Sequence, residues 1–265
     1  MRAKLDTEFF EPGRPRVFAH RGASGDYPEN TIEAFRAATE RGAPYIELDV
    51  HMTRDGAIVV IHDDDLRRVS DRDSVVAETR LVKVQAADAG YNFSPDARSF
   101  PFRGRGLRVP TLEEVLSAFP QQRFIIEVKQ ITPSPIVPAL EIIAQTRMSR
   151  RVLIASEHQA PLDDARQLAP QIPTNFSTAE VGDFFRSMAP DAAPYAPLGA
   201  ALQIPPEHLS WKLVTPESVA AAHRLGVEVH VWTVNDAAEM RDMLALGVDG
   251  IITDYPGRLL ELLRT

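Results

Sequence analysis

Two histidines and three carboxylates in this chain each fall at or just past the end of a short apolar run. Val17-Phe18-Ala19 leads to His20, Tyr45-Ile46 to Glu47, Ile58-Val59-Val60-Ile61 to His62, and Phe124-Ile125-Ile126 to Glu127. Histidine exchanges protons near neutrality. Bond cleavage with an alkoxide leaving group needs a base and an acid, and His20 and His62 can divide those roles. Glu47 and Asp49 are two apart on an extended run, so both side chains point to one face. Uncompensated, they would repel and raise a pKa; a hard divalent cation, Mg²⁺ or Ca²⁺, resolves the conflict. Glu127 would be the third carboxylate of that site. The competing reading is a set of salt bridges, with Lys129 or Arg21 as partners. The combination points to metal-assisted acid–base chemistry.

Around these residues stand groups suited to an anion. Arg21 offers a planar fork of donors, and Lys129 a mobile point charge. Glu29 is placed to reach either the metal or Arg21, whereas Asn30 reads as a helix N-cap. Trp232 reads as a core residue or as a wall against an apolar part of the substrate. Ala222-His223-Arg224-Leu225-Gly226 nearly repeats the letters of Ala19-His20-Arg21-Gly22. It ends a helical stretch, where His and Arg favour the dipole and Gly caps. His223 and Arg224 are therefore assigned to capping.

Ionisable groups delivered by several strand ends require a scaffold that gathers those ends at one face, as a (β/α)8 barrel does. Strand-like runs occur at 17–20, 45–50, 58–62, 124–129, 152–156, 174–177, 200–204, 228–234 and 250–253. Eight places exist in such a barrel, so one run is extra; 200–204 and 174–177 are the suspects. Helical stretches fit between most of them. Thr111-Leu112-Glu113-Glu114 is a capping box, Pro216 suits a first helical position, and Asp236 opens a helix that Gly247 closes. Between residues 50 and 58 no crossover helix fits. Thr53-Arg54-Asp55-Gly56 reads as a turn that returns His62 beside Asp49. Residues 64–110 read as an insertion or cap over the barrel mouth. There Phe100, Phe102, Leu107 and neighbouring arginines form either a rim for an anionic substrate or a solvated loop. Residues 182–198 read as a surface loop. The expectation is one barrel domain over residues 1–265.

With 44% hydrophobic and 25% charged residues the chain is ordinary for a globular protein. A net charge of −8 argues against nucleic acid or an anionic membrane as partner. The absence of cysteine excludes disulfides, thiolate catalysis and cysteine-ligated zinc. Residues 1–16 lack a signal-peptide core and no run is long enough to span a bilayer, so a cytoplasmic location without stable membrane insertion is expected. A helical outer ring leaves surface for a homodimer.

Six segments together resemble the glycerophosphodiester phosphodiesterase family: AHRGASGDYPENTIEAF (19–35), IELDVHMTRDGAIVVIHDDDLRR (46–68), VPTLEEVL (109–116), IIEVK (125–129), VWTVN (231–235) and GVDGIITDYP (247–256). They run in family order from the first strand to the last. The resemblance implies a (β/α)8 TIM barrel with an insertion after the third strand. It also implies hydrolysis of a small-molecule glycerophosphodiester to sn-glycerol 3-phosphate and an alcohol, with one divalent metal ion. In that pattern Glu47, Asp49 and Glu127 match the metal carboxylates, and His20 and His62 the acid/base pair. Arg21 and Lys129 match phosphate contacts, and Glu29 and Trp232 match pocket positions. Attack by the glycerol 2-hydroxyl, or directly by water, would use the same residues. Two departures bear on substrate preference: Ala155-Ser156-Glu157 where the family usually has a serine pair and phenylalanine, and Val69-Ser70 where threonines usually follow. The competing functions are lysophospholipase D activity, with an apolar track from the 93–107 stretch, and a catalytically silent phosphate-ligand binding protein.

Overall fold

The computed structural model describes residues 7–264. Residues 1–6, part of the stretch read for a leader, lie outside the described residues. Strand β1 (Arg16–His20) leads through a tight loop into helix α1 (Ile32–Glu40), and β2 (Tyr45–Met52) folds straight back into β3 (Ile58–Val60). A short α2 (Leu81–Val84) and α3 (Leu112–Ala118) precede β4 (Arg123–Val128). Then come α4 (Ile136–Gln145), β5 (Val152–Ala155), α5 (Gln159–Leu168) and α6 (Thr178–Ser187). The chain continues through β6 (Ala201–Ile204), the two-residue strands β7 (Glu207–His208) and β8 (Trp211–Lys212), and α7 (Pro216–Arg224). It closes with β9 (Glu228–Val231), α8 (Ala237–Ala245), β10 (Gly250–Thr253) and α9 (Pro256–Leu262).

Seven strands form one parallel sheet in the order β5-β4-β2-β1-β10-β9-β6. Its two edges are joined by Thr174 and Asn175, which bridge in parallel to Ile154 of β5 and Ala201 of β6. The Asn175 N–H donates to the Ile154 carbonyl and the Ala200 N–H to that of Thr174, so the ring closes as a (β/α)8 barrel. The supernumerary run is thus neither 200–204 nor 174–177. It is 58–62: β3 pairs antiparallel with β2, Val60 opposite Val50, and lies off the ring. The turn between them closes at Gly56, whose φ of +83° suits glycine. The 182–198 reading is also corrected. Ser177 and Glu180 form a capping box that starts α6, so helix runs to Ser187 before the loop begins.

Alternation along each strand sorts the core. On β2, Ile46, Leu48 and Val50 face outward onto Phe35, Leu112 and Ile136 of the surrounding helices. Tyr45 points inward, packing with Phe9, Phe18 and Ile252. Glu47 and Asp49 continue that inward set one and two steps up the strand. The apolar bottom layer therefore gives way to a carboxylate layer toward the C-terminal ends of the strands.

Residues 64–110 build a satellite core of Leu66, Val76, Val84 and Leu107 beneath Val59 and Ile61. Phe102 packs on Tyr27 with ring centroids 5.5 Å apart. The Arg103 guanidinium lies 3.9 Å from the Phe100 ring centroid and 4.1 Å from that of Tyr91. Among the described residues, no helix is long and apolar enough to cross a membrane.

Candidate active site

Strand register assembles the site. His20 on β1 is level with Glu47 on β2, and Asp49 on β2 is level with Glu127 on β4. The three carboxylates each offer an oxygen, and these oxygens lie within 4.8 Å of one another. Glu47 and Asp49 are almost fully buried. The Arg21 and Gly22 backbone turns left-handed, with φ of +54° and +87°. This aims the Arg21 N–H at Glu47 Oε2, 3.0 Å away. A side chain at Gly22 would meet the Ala34 backbone at 2.6 Å, so the turn depends on glycine.

The remaining partners neutralise the cluster incompletely. Asp49 Oδ2 accepts from Asn30 Nδ2 at 2.9 Å and lies 3.1 Å from Arg21 Nε. Lys129 Nζ sits 2.6 Å from Glu127 Oε1 and 3.4 Å from Asp49 Oδ1. Glu47 Oε1 is buried with no hydrogen-bond partner. Burial acts to raise the Asp49 carboxyl, but the charges of Arg21 and Lys129 hold it below the usual carboxylate value. Burial, reinforced by the charge on Asp49, pushes Glu47 and Glu127 up. Two buried carboxylates, Glu47 and Asp49, each with an orphaned oxygen, and the half-buried Glu127 beside them fit a hard divalent cation, whose charge would reverse both upward shifts.

Each histidine is tethered through Nδ1. His20 Nδ1 is 2.6 Å from Asp254 Oδ1, and Asp254 is itself held by Ser24 Oγ at 2.8 Å and Asn235 Nδ2 at 2.6 Å. Burial alone would lower His20; the bond to Asp254 and the charge on Glu47 outweigh it and hold His20 above its ordinary value. His62 Nδ1 is 2.6 Å from Asp63 Oδ1. Arg68 grips Asp63 through Nε at 2.6 Å and Glu29 through Nη1 at 2.6 Å, and Glu29 in turn binds Arg21 Nη1 at 2.9 Å. Burial works against Asp63, but Arg68 and His62 bring it down to about 2.

These groups open onto a cavity of about 770 Å³. His20, Arg21, Glu47, His62, Glu127 and Lys129 line one part of it, and Trp232 lines it while 43% exposed. Glu29, paired with Arg21, and Asp49, held by Arg21 and Lys129, belong to the cluster without lining the cavity themselves. Of the nine residues singled out from sequence, all converge here. Asn30 was misassigned: Thr31 caps α1 by accepting from the Ala34 N–H, and Asn30, at φ +57°, supports Asp49 instead. Asp254, Asp63 and Arg68 were missed as site residues. Asp254 follows β10 directly, so the strand-end signal used elsewhere applied to it as well. No residue of 64–110 lines the cavity. Arg103 stacks on Phe100 and Tyr91, Arg105 lies over the Phe102 ring and Arg108 pairs with Glu114. His223 ends α7 and bonds Asp249 at 2.8 Å, away from the cavity.

Comparison with known proteins agrees with this geometry. A glycerophosphodiester phosphodiesterase of Caldanaerobacter subterraneus subsp. tengcongensis is 32% identical over 94% of this chain and 97% of its own. A lysophospholipase D of Mus musculus is 27% identical over 94% of this chain and 86% of its own. Among solved structures, an Oleispira antarctica phosphodiesterase in complex with the product sn-glycerol-3-phosphate superposes with a TM-score of 0.77 at 25% identity. That match covers 95% of this chain and 97% of the other. Residues 20–258 match the glycerophosphoryl diester phosphodiesterase family. The chain belongs to that family and is a phosphoric diester hydrolase.

Proposed function

We propose that the chain hydrolyses glycerophosphodiesters to sn-glycerol 3-phosphate and an alcohol by two-histidine acid–base catalysis at a divalent cation. The observation that carries this reading is the pair of carboxylate-tethered histidines, His20–Asp254 and His62–Asp63, both lining the cavity that holds the buried carboxylates. Tethering Nδ1 leaves Nε2 as the nitrogen that exchanges protons with the substrate. One histidine removes the proton from the attacking hydroxyl, whether the glycerol 2-hydroxyl or water, and the other protonates the departing alkoxide. Glu47, Asp49 and Glu127 would hold Mg²⁺ or Ca²⁺, which supplies positive charge to the phosphate as bonding to phosphorus changes. Arg21 and Lys129 sit beside that position with their charges shared among Glu29, Asp49 and Glu127. They would turn to the phosphate oxygens once a cation takes over the carboxylates.

The test is release of sn-glycerol 3-phosphate from a panel of glycerophosphodiesters with Mg²⁺, Ca²⁺ or EDTA. Release with a divalent ion and its loss in EDTA is the expected result. A folded protein that releases none with any metal would overturn the reading in favour of a silent phosphate-ligand binder.

A further inference from the structure

Glu47 and Asp49 are not the last side chains that β2 turns inward. The next in the same row is His51, which is 5% exposed and lines the cavity. The acid–base chemistry proposed for His20 and His62 gives it no task. Its Nε2 lies 3.0 Å from the His62 carbonyl oxygen. A carbonyl oxygen only accepts, so Nε2 carries the hydrogen and donates it.

What that bond does follows from how His62 is attached. His20 belongs to β1, a strand of the ring, and its tether Asp254 follows another ring strand, β10. His62 has neither support, because it stands past β3, which lies off the ring. The pairing of β3 with β2 ends with Val60 opposite Val50, and the Ile61 N–H still reaches the Asp49 carbonyl at 3.0 Å. The next main-chain hold is at Asp64, whose carbonyl accepts from the Val76 N–H at 2.8 Å. Between the two, His62 makes no backbone–backbone hydrogen bond among the described residues. Asp63 orients the His62 ring, but as its chain neighbour it moves with it. Arg68, which ties Asp63 to Glu29, has a side chain 46% exposed and is the looser constraint. The His51 bond joins this turn to the strand that carries Glu47 and Asp49.

We infer that His51 is a positioning residue for the reaction: its hydrogen bond to the His62 carbonyl fixes the main chain from which the His62 imidazole reaches the substrate. The inference rests on the proton-carrying role proposed for His62. It requires a donor at the place of Nε2, not an imidazole as such. Glutamine offers an amide N–H at the same reach, leucine fills similar space without a donor, and asparagine ends short.

The experiment compares His51→Leu, His51→Gln and His51→Asn on glycerophosphocholine. A catalytic group displaced by an ångström forfeits up to about 10² in rate, so His51→Leu is expected to lower kcat about 10- to 100-fold with KM within about twofold. His51→Gln is expected to recover most of that loss. His51→Asn is expected to match His51→Leu, and carries the comparison if His51→Leu does not fold. Wild-type kcat in folded His51→Leu or His51→Asn overturns the inference, and so does a His51→Gln as impaired as they are. A loss that falls on KM overturns it too, since His51 would then be a substrate contact.

A double-mutant cycle separates the inference from the reading beneath it. Adding His51→Leu to His62→Ala is expected to lower kcat no further; a second loss of the same size overturns the inference. His62→Ala with wild-type turnover would overturn the two-histidine reading, and the catalytic task of His51 with it. An inactive His62→Ala beside a fully active His51→Leu would overturn the inference alone. Two readouts stand apart from turnover. In NMR of isotope-labelled histidine, His51→Leu is expected to move the ring signals of His62 and leave those of His20 in place; unmoved His62 signals overturn the inference. The rise in Tm with Mg²⁺ or Ca²⁺ should be the same in His51→Leu as in the wild type. Its loss would show that the substitution acts on the neighbouring carboxylates, and would overturn the inference as well.

Discussion

The proton chemistry proposed for His20 depends on a residue that does not line the cavity. Asp254 fixes which nitrogen of His20 works, and Ser24 and Asn235 fix Asp254. Replacing a catalytic histidine by alanine removes a proton carrier, so His20→Ala and His62→Ala should each lower kcat by about 10²–10⁴. Asp254→Asn keeps the imidazole but releases its orientation. It should lower kcat by about 10² with little change in KM, a split that steady-state kinetics on glycerophosphocholine will read. A comparable rise in KM would make Asp254 a substrate contact instead. The carboxylate cluster makes a separate prediction. Burial and Asp49 raise Glu47, so without a cation its ionisation opposes folding. Stability is lost as pH rises toward that raised value. Glu47→Gln should therefore melt a few degrees higher than wild type in EDTA at pH 8, and lose the increase in Tm that Mg²⁺ or Ca²⁺ gives the wild type. A Glu47→Gln protein that still gains stability from the metal would remove Glu47 from the ligand set. The nine candidate residues were legible because strand ends converge in a barrel. Their supports were not, because sequence spacing does not show that Asp254 and His20, 234 positions apart, face each other across adjacent strands β10 and β1.

Elements were legible where a physical signal was strong. The Thr111 capping box, Pro216 at the start of α7 and the left-handed Gly42, Gly226 and Gly247 all stand where their chemistry places them. The errors arose where two segments carried the same signal. Residues 58–62 and 174–177 both read as short buried strands, yet only the second closes the ring. Apolar composition does not distinguish parallel from antiparallel pairing. The β7–β8 hairpin was invisible because Glu-His-Leu-Ser-Trp-Lys lacks both an apolar alternation and a glycine turn. The loop between β1 and α1 shows how an element sets the site. Gly22 at φ +87° lies against the Ala34 backbone, and its position lets Arg21 reach Glu47. Gly22→Ala combines strain with overlap and should cost ~1–3 kcal/mol. Thermal melting should show a drop of roughly 2–12 °C, and activity should fall more than Tm predicts because the Arg21 N–H moves off Glu47. Equal retention of activity and stability would show that the loop finds another path.

At the scale of the whole molecule the barrel separates stability from chemistry along its axis. The carboxylates above are incompletely neutralised, whereas the charges at the opposite end are closed among themselves. Arg16, 2% exposed, holds Glu228 through Nε and Nη2, each at 2.8 Å, and donates to the Tyr45 hydroxyl at 2.9 Å. Arg14 joins Glu228 to Asp249, and His230 bonds Glu228 at 3.1 Å. Burial acts to raise Glu228, but Arg16 and His230 outweigh it and hold its carboxyl far below the ordinary glutamate value. A depressed carboxyl contributes stability that is present above its unfolded pKa, about 4.3, and is lost as pH falls from there toward the folded value. Glu228→Gln leaves the buried Arg16 guanidinium without its counter-charge, a change worth roughly 3–5 kcal/mol. At pH 7 the variant should unfold at clearly lower urea than the wild type. Between pH 5 and pH 3 the wild type should lose stability more steeply than the variant, because the variant has no carboxylate there to protonate. Turnover per folded molecule should not change, since the substituted atoms lie at the end of the strands remote from His20 and His62. A variant with unaltered acid sensitivity would place the pH-dependent stability elsewhere. One with reduced turnover at full folding would show that the two ends of the barrel are mechanically coupled.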